Sequence, residues 1–337
     1  MNLLIPGGAG FIGSNFVRYA LDRWPNCRVT VLDKLTYAGN LANLAEVGDD
    51  PRFRFVRGDI CDPEMVRAAM AGCSQVVNFA AETHVDRSIL SARDFIRTDV
   101  EGTQVLLEAA RASGVERYLQ VSTDEVYGHV EHPHRTDEEA HLAPRSPYSA
   151  SKAAGDLMVG AYHATFGVPT LITRGSNTYG PYQYPEKLIP LFVTNAIRGL
   201  PLPVYGDGRQ MRDWLYAEDH CAGIATVLER GTPGQIYNIG QGSERPNLEI
   251  IQEVIRLTGC DPALIRHVVD RPGHDRRYAL DTSKIRALGW SPVWTLDTGL
   301  EPTVRWYQDH RAWWESLQDD AFRAYYRQQY EERLAAR

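Results

Sequence analysis

The sequence lacks the features that mark membrane, secreted and nucleic-acid-binding proteins. No apolar run approaches the roughly 20 residues that a transmembrane helix needs. Lys and Arg form no basic cluster, and the net charge is −7, which argues against nonspecific nucleic-acid binding. The first residues, MNLLIPGG, lead directly into an apolar strand pattern without the layout of a signal peptide. We therefore expect a cytoplasmic protein that binds neither membranes nor nucleic acid.

Cysteine is scarce, and its positions argue against two further classes of protein. The 337 residues contain five cysteines, which are scattered along the chain. Their number and spacing suit neither a disulfide framework nor a zinc site, and they indicate buried thiols in a reducing compartment. The segment HVEHPHRT is rich in histidine, but it carries no thiol and no ordered set of acids. The sequence therefore predicts no metal site.

Alternating strand and helix patterns indicate an α/β fold. With 43% hydrophobic and 23% charged residues, the composition is that of a globular protein with a substantial core. Apolar strand patterns lie near residues 2–5, 28–33, 52–59, 75–82 and 117–122. Helical patterns lie near 11–23, 63–71 and 93–113. This alternation predicts βαβ units and a doubly wound, parallel, Rossmann-type sheet.

A glycine loop between the first strand and the first helix indicates a dinucleotide cofactor. LLIPGGAGFIGS places Gly7, Gly10 and Gly13 where a tight turn, a pyrophosphate and close helix packing each need glycine. The pyrophosphate would lie at the N-terminus of the helix, where free N–H groups and the helix dipole favour an anion. Asp33 ends the second strand, where a carboxylate can hold ribose hydroxyls and repel a 2′-phosphate. The sequence therefore predicts NAD rather than NADP.

The pattern loosens past residue 165, where Pro- and Gly-rich loops such as LPLPVYGDG and DRPGHDRR follow. In open α/β sheets, ligands bind beyond the carboxyl ends of the strands, and loops of this kind can close a pocket there. We predict an NAD-binding Rossmann domain over residues 1–180 that carries the catalytic residues. Residues 181–337 would form a smaller, C-terminal lobe that mainly binds substrate, with some segments returning to the sheet.

A tyrosine and a lysine have the spacing of an acid–base pair on a helix. PYSASK places Tyr148 and Lys152 four residues apart, just after Pro147, which can begin a helix. That spacing brings both side chains to one helix face. A tyrosine that works as a base near neutral pH needs its pKa lowered by about three units, or about 4 kcal/mol. A neighbouring ammonium and a cationic nicotinamide ring can supply that together.

Two adjacent acids follow the fifth predicted strand. In STDEVYG, Thr123 precedes Asp124 and Glu125. Repulsion between close carboxylates raises the pKa of one of them, so that one can be protonated while the other is ionised. Such a pair can divide acid and base work. The alternative is a solvated turn, which the surrounding motifs disfavour.

These features resemble the extended short-chain dehydrogenase/reductase family over nearly the whole chain. TDEVYG, AAETHVDRSI, NTYGPYQYPEKLIPLF, VYGDGRQMRDWLY, EDHCAGI and RPGHDRRYALD are similar to its nucleotide-sugar 4,6-dehydratases. The resemblance implies oxidation at carbon 4 through Tyr148 and NAD, with Thr123 bonded to the same oxygen. Water would then leave across carbons 5 and 6, with Asp124 as acid and Glu125 as base, before hydride returns to carbon 6. It also implies a homodimer built on the helices near 93–113 and 148–165.

The resemblance assigns binding residues as well. Around NAD, together with the glycine loop, it places Gly7, Gly10, Phe11, Ile12, Gly13, Asp33, Lys34, Leu35, Thr36, Asp59, Ile60, Ala80, Ala81, Thr98, Tyr148, Lys152 and Thr178. Around the nucleotide sugar it places Thr83, Thr123, Asn177, Glu186, Lys187, Leu188, Pro203, Val204, Tyr205, Arg212, Asn247, Asp270, Arg271 and His274. The guanidinium groups among them match the oxygens of a diphosphate.

Three residues depart from the pattern of the family. Pro6 stands where Thr is usual and removes one backbone N–H ahead of the glycine loop. Gly175 stands where Cys is common, and we expect this to cost side-chain packing and little else. Thr178 replaces an Asn near the nicotinamide, which predicts weaker retention of NAD.

The expected substrate is dTDP-glucose, and three alternatives stay open. UDP-glucose differs by little at the base, where a methyl group is worth roughly 1–3 kcal/mol. An epimerase or decarboxylase of the same fold is disfavoured by the pairing of Asp124 with Glu125. A non-catalytic, NAD-binding regulatory protein is disfavoured because Thr123, Tyr148 and Lys152 are all present.

Overall fold

The fold is built around a parallel β-sheet. The computed structural model describes residues 1–332. Its strands are β1 (Asn2–Pro6), β2 (Arg28–Asp33), β3 (Phe53–Arg57), β4 (Gln75–Asn78), β5 (Arg117–Thr123), β6 (Thr170–Gly175), β7 (Asn177–Tyr179), β8 (Leu202–Tyr205), β9 (Met211–Tyr216), β10 (Ile236–Ile239), β11 (Glu244–Pro246) and β12 (Ile265–Val268). Seven form one parallel sheet in the order β3–β2–β1–β4–β5–β6–β10. This is the Rossmann order with one added strand, which confirms the predicted fold class.

Helices cover both faces of this sheet. The α-helices of residues 1–332 are α1 (Phe11–Arg23), α2 (Pro63–Met70), α3 (Val85–Leu90), α4 (Arg93–Ile96), α5 (Thr103–Ser113), α6 (Pro147–Phe166), α7 (Leu188–Arg198), α8 (Ala217–Arg230), α9 (Asn247–Thr258), α10 (Ser283–Ala287), α11 (Leu296–Asp309), α12 (Arg311–Leu317) and α13 (Asp320–Tyr326). Within residues 1–332, no helix has the length and apolar character needed to cross a bilayer.

The alternation of side chains along β1 explains the two layers. Leu3 and Ile5 are buried in a core that α1 and α8 share, whereas Leu4 is buried on the opposite face with α2, α5 and α6. Successive side chains of a strand point to opposite faces, so a strand covered on both faces must be apolar throughout. The sheet is thereby held between two helical layers, and its carboxyl edge stays open for ligands.

The second half of the chain builds a smaller layer beside that edge. β7, β9 and β11 form a three-stranded sheet, and β8 pairs with β12. A third core joins these strands to α7, α9 and α11, and Trp314 of α12 is fully buried in it. The apolar residues of HRAWWESL predict packing against the body of the protein, and the burial of Trp314 confirms it. β6 and β10 belong to the large sheet, and the predicted boundary near residue 180 stays a prediction.

Helix α6 begins as its sequence predicts. Ser146 and Ser149 form a reciprocal capping box, and Pro147 occupies the first turn. The helix ends at Gly167, whose φ of 69° suits glycine. Tyr148 and Lys152 therefore lie in the first two turns of a well-defined helix.

Two predicted elements differ from the structure. The strand predicted over 75–82 ends at Asn78, whose side chain turns back to accept the N–H of Ala80. The helix predicted over 93–113 is interrupted by a π-helical turn, Arg97–Gly102, between α4 and α5. Periodicity alone does not reveal such a turn, which is often found at functional sites.

Gly175 leaves room for a buried histidine. A Cβ at this position would lie 2.6 Å from Cε1 and Nε2 of His220, a distance that real Cβ atoms do not tolerate. His220 is 2% exposed, and its Nδ1 lies 2.7 Å from Oγ1 of Thr178. The expected loss of packing at Gly175 is therefore wrong, because the imidazole of His220 fills that space.

Replacing Gly175 with Ala should destabilise the protein by about 1–3 kcal/mol, because the added methyl group overpacks a fully buried site. Urea unfolding of the wild type, Gly175→Ala, His220→Ala and the double variant measures this. We expect Gly175→Ala to cost much less when His220 is already Ala. An equal cost in both backgrounds would contradict the packing described above.

Candidate active site

A long cavity crosses the carboxyl edge of the sheet above β1, β2 and β4. Most of the residues predicted to contact NAD line it, namely Gly7, Gly10, Phe11, Ile12, Gly13, Asp33, Lys34, Thr36, Asp59, Ile60, Ala80, Ala81, Thr98, Tyr148 and Lys152. Thr83, Glu82 and Tyr184 also line it, although only Thr83 was assigned to a ligand from the sequence.

The glycine loop is shaped for close backbone approach. Gly7 has a φ of 76°, and a Cβ there would lie 2.4 Å from the backbone nitrogen of Ala80. A Cβ on Gly13 would lie 2.3 Å from the carbonyl oxygen of Gly7. A side chain at Gly7 would collide with the backbone that follows β4, and one at Gly13 would collide with the glycine loop itself. Pro6 is compatible with this geometry, because the N–H of Gly7 makes the next bond to the Leu32 carbonyl.

Asp33 is held in place at the end of β2. Its Oδ2 accepts the N–H of Ala9 at 2.9 Å, and its Oδ1 accepts the N–H of Leu35 at 2.8 Å. Burial raises the pKa of Asp33 above its ordinary value, and these two N–H donors oppose that rise. The carboxylate is thus fixed where it lines the cavity, with lone pairs left for hydroxyl donors.

Leu35 and Thr178 lie outside the residues that line this cavity. Leu35 has a φ of 58° and packs against the core on one face of the sheet. Thr178 is 9% exposed, and its hydroxyl is engaged with the Ser176 carbonyl and His220. The structure therefore does not bring these two predicted cofactor residues to the cavity wall. For Thr178 the reason is that His220 offers its hydroxyl a buried partner.

Tyr148 stands where this cavity meets a second one, which it also lines. Burial raises the pKa of Tyr148 well above its ordinary value, and the charges of Glu125, Asp99 and Asp124 add to that rise. A hydrogen bond with Thr123 acts in the opposite direction. The phenol is therefore protonated until positive charge arrives beside it.

Lys152 is aimed into the same region from the next turn of α6. Its ammonium is buried and donates to the carbonyl of Val121 at 3.0 Å. Behind it, Asp99 of the π-helical turn accepts from Ser151 at 2.6 Å and from the N–H of Glu82 at 3.1 Å. Burial raises the pKa of Asp99 to about 6, and Lys152 opposes that rise. The ammonium of Lys152 and the carboxylate of Asp99 thus lie near the start of α6, where Tyr148 is located.

The two adjacent acids occupy different environments. They begin a short 3-10 turn, Asp124–Tyr127, directly after β5. Thr123 accepts the N–H of Glu125 at 3.2 Å and donates to Oδ1 of Asp124 at the same distance. Asp124 is 2% exposed, and its Oδ2 has no hydrogen-bond partner within residues 1–332. Glu125 is half-buried and lines the second cavity.

These environments affect the pKa values of the two carboxyl groups differently. Burial raises the pKa of Asp124 well above its ordinary value, and the charge of Glu125 raises it further. Burial also raises the pKa of Glu125, but the cations Arg271, Arg212 and Lys187 oppose the rise. Asp124 therefore favours the protonated form more strongly than Glu125 does, which suits Asp124 as an acid and Glu125 as a base.

The second cavity is lined by most of the residues predicted to bind substrate. They are Asn177, Glu186, Lys187, Leu188, Pro203, Val204, Tyr205, Arg212, Asn247, Arg271 and His274. Three predicted residues stand elsewhere. Thr83 lines the first cavity and accepts from Lys187 at 3.0 Å, whereas Thr123 and Asp270 lie behind the wall. Asp270 still acts on the wall, because its Oδ1 lies 2.6 Å from Nδ1 of His274.

Buried arginines make this cavity suitable for an anion. Arg212 is 5% exposed and donates to the carbonyls of Met211 and Asp275. Arg271 pairs with Asp86 at 3.3 Å. Guanidinium groups stay charged when buried, and their planar donors match phosphate oxygens. The wall of this cavity therefore carries two guanidinium groups together with Glu125 and apolar side chains.

Sequence reasoning missed several residues of this wall. They are His84, Val85, Asp86, Leu191, Phe192, Gly208, Gln210, Trp214, Ile251 and Tyr330. Nε2 of His84 lies 3.3 Å from the carbonyl oxygen of Glu186. Its φ of 80° is unusual for a residue other than glycine, and such strain is frequent at active sites. No sequence motif marks Tyr330.

No metal centre accompanies these groups in the described part of the chain. Within residues 1–332, no three or more His, Cys, Asp and Glu side chains are arranged to hold a metal ion. The histidine-rich segment lies apart from both cavities, and His129 pairs there with Glu131 at 3.1 Å.

Comparison with known proteins gives a family. A family model described as GDP-mannose 4,6 dehydratase matches residues 4–303. A dTDP-glucose 4,6-dehydratase of Streptomyces niveus is 53% identical over 322 residues, which cover 94% of this chain and 96% of that protein. The crystal structure of the dTDP-glucose 4,6-dehydratase DesIV from Streptomyces venezuelae, with NAD and TYD bound, has a TM-score of 0.92 and 52% identity. It covers 94% of this chain and 100% of that one.

A more distant structure shares the fold. A Thermus thermophilus UDP-glucose 4-epimerase in complex with NAD has a TM-score of 0.86 and 31% identity, and it covers 92% of this chain and 100% of that one. The match of the family model over most of the chain confirms the resemblance found in the sequence. The chain therefore belongs to the GDP-mannose 4,6 dehydratase family of short-chain dehydrogenases/reductases.

Proposed function

We propose that the protein is an NAD-dependent dTDP-glucose 4,6-dehydratase, which forms dTDP-4-keto-6-deoxyglucose for deoxysugar biosynthesis. The observation that carries the proposal is the acid pair at the end of β5. Asp124 is buried, one of its oxygens has no hydrogen-bond partner within residues 1–332, and Glu125 faces the cavity that Tyr148 also lines. The substrate named for the relatives from S. niveus and S. venezuelae supports dTDP-glucose.

The first cavity fits the cofactor. Gly7 and Gly13 leave no room for a Cβ, so the backbone can approach a pyrophosphate, and Asp33 is fixed where ribose hydroxyls would bind. NAD, when bound, accepts hydride from carbon 4 and later returns it to carbon 6. We propose that residues 1–180 hold NAD and the catalytic residues, and that 181–337 mainly bind the sugar nucleotide.

The protein groups then divide the proton transfers. Tyr148 takes the proton of the 4-hydroxyl, with Thr123 hydrogen-bonded to the phenol. The Lys152 ammonium, one turn further along α6, would lower the cost of the ionised form. Glu125 removes the proton from carbon 5, which the neighbouring ketone acidifies, and gives a proton back to carbon 5 when hydride adds to carbon 6. Asp124, kept protonated by burial, gives its proton to the hydroxyl that leaves carbon 6. An epimerase needs neither of these two acids.

The second cavity can hold the rest of the substrate. Arg212 and Arg271 would bind the diphosphate, and the base would lie against apolar residues such as Leu188 and Val204. Apolar walls suit the methyl group that distinguishes thymine from uracil. This arrangement supports dTDP-glucose over UDP-glucose.

We also propose that the protein is a cytoplasmic homodimer. Ile96 of α4 is 59% exposed, Leu157 of α6 is 66% exposed, and Phe166 at the end of α6 is 47% exposed. Large apolar side chains exposed on neighbouring helices are typical of association surfaces. Two of the five free thiols, Cys27 and Cys221, are buried, which suits a reducing compartment.

Mass spectrometry of the purified protein incubated separately with dTDP-glucose and UDP-glucose, with and without added NAD, tests the proposed function. We expect dTDP-glucose to lose the mass of one water, at a higher rate than UDP-glucose. Unchanged masses with both substrates and added NAD would contradict a dehydratase, and a changed sugar configuration would then identify an epimerase.

Replacing Glu125 with Gln should slow the loss of water by about 10²–10⁴-fold, because the base at carbon 5 is removed. Oxidation at carbon 4 should survive, so absorbance of NADH should appear on mixing with dTDP-glucose. Glu139→Gln, which changes an exposed glutamate after the same turn, is the matched control. Normal elimination by Glu125→Gln would show that another group is the base.

Replacing Asp99 with Asn should move the acidic limb of the pH profile of kcat/KM to lower pH. The negative charge of Asp99 raises the pKa of Tyr148, so its removal lowers that pKa and ionises the phenol at a lower pH. The control is Asp94→Asn, since Asp94 is exposed on α4. An unmoved profile for Asp99→Asn would contradict the coupling of Asp99 to the base.

A further inference from the structure

The C-terminal segment, defined as α13 and the π-helical turn Arg327–Glu331, lies against the substrate cavity. It is outside residues 4–303, the part of the chain that the family model matches. Tyr330 nevertheless lines the cavity, and it is 4% exposed. One wall of the cavity is therefore supplied from beyond the family's common region.

Tyr330 pairs with an aromatic residue of the lobe. Its ring lies 5.8 Å from that of Tyr205, between centroids, at an interplanar angle of 36°. Tyr205 ends β8 and also meets His274 edge to face at 6.0 Å. Two tyrosines and a histidine thus form an aromatic corner of the cavity, and the C-terminal segment supplies one of the three rings.

A chain of hydrogen bonds starts at Gln329 and ends at an arginine of the cavity. The side-chain amide of Gln329 donates to the Tyr205 hydroxyl at 2.8 Å, and that hydroxyl donates to Oδ2 of Asp86 at 2.9 Å. The other oxygen of Asp86 pairs with Arg271 at 3.3 Å. Gln329 is 3% exposed and Asp86 is 2% exposed, so these bonds are shielded from water. The segment therefore fixes Tyr205 and, through Asp86, supports Arg271.

A second set of contacts ties the same segment to the wall nearby. The ring of Tyr325 packs edge to face against His84, with 6.0 Å between the ring centroids. The guanidinium of Arg87 lies over the Tyr325 ring, 4.5 Å from its centroid. Arg87 in turn pairs with Glu186 at 2.8 Å. His84 and Glu186 line the cavity, so the segment touches its wall at two separate places.

The segment belongs to the end of the cavity that is remote from the chemistry. Tyr148 and Lys187 line both cavities, which places the reacting sugar at their junction. Tyr330 and Tyr205 line the substrate cavity without lining the cofactor cavity. On the proposed function, the nucleoside diphosphate reaches away from the junction towards these residues.

We propose that the C-terminal segment is part of the nucleotide-binding site, with Tyr330 as a wall for the nucleoside and Gln329 as a positioning residue for Tyr205. This inference rests on the proposed function for the identity of the base. Replacement of Gln329 removes its hydrogen bond to the Tyr205 hydroxyl, and removal of the Tyr330 ring opens the wall. Both changes weaken binding of the nucleotide without touching the reacting groups.

Isothermal titration of the NAD-loaded protein with dTDP tests this. Gln329→Leu and Tyr330→Ala should each weaken dTDP binding about tenfold. The KM for dTDP-glucose should rise by a similar factor while kcat stays within about twofold of the wild type, because the lost contacts are remote from the acids. Gln328→Leu, an exposed neighbour on the same turn, is the matched control and should bind as the wild type does.

The outcomes distinguish failure of the role proposed for the C-terminal segment from failure of the proposed substrate. Unchanged dTDP affinity and KM in both Gln329→Leu and Tyr330→Ala would overturn the role of the segment. Equal loss of dTDP and NAD affinity would overturn it too, because the cofactor cavity does not include these residues and a general loss of structure would be the cause. A wild type that binds UDP and dehydrates UDP-glucose instead would reject the proposed base, and the same variants would then be titrated with UDP.

Discussion

The site depends on two neighbouring carboxyl groups that must not ionise together. Asp124 and Glu125 directly follow β5, and the side chain of Asp124 is almost completely shielded from water. A buried carboxylate beside another is costly, so the protein keeps a proton on the more deeply buried one. Burial also raises the pKa of Glu125, and the charges of Arg271, Arg212 and Lys187 oppose that rise. All three cations come from the second half of the chain, so the part proposed to bind the diphosphate also opposes the rise in the pKa of the proposed base.

Much of this arrangement could be predicted because it follows from local rules. Strands with buried faces, the glycine loop and the capped start of α6 each have a sequence pattern with a physical cause. The carboxyl edge of a parallel sheet then brings Asp33, Asp124 and Tyr148 to one side, whatever lies between them in the sequence. For this reason most of the predicted binding residues line one of the two cavities.

The residues that escaped prediction owe their places to contacts between distant segments. Tyr330 lines the cavity from the π-helical turn Arg327–Glu331, where it and Gln329 contact Tyr205, and no local pattern records these contacts. Thr178 turns away from the cofactor cavity because a histidine 42 positions later fills the space above a glycine. Asp99 reaches Ser151 from a π-helical turn that interrupts a regular pattern.

Infrared spectroscopy of the carbonyl stretch of protonated carboxyl groups tests the central claim most directly. At neutral pH the wild type should show a band that is absent from Asp124→Asn and still present in Glu125→Gln, because burial is the main cause of the raised pKa of Asp124. Identical spectra of the wild type and Asp124→Asn in this region would show that Asp124 is ionised. The division of acid and base between the two residues would then be wrong.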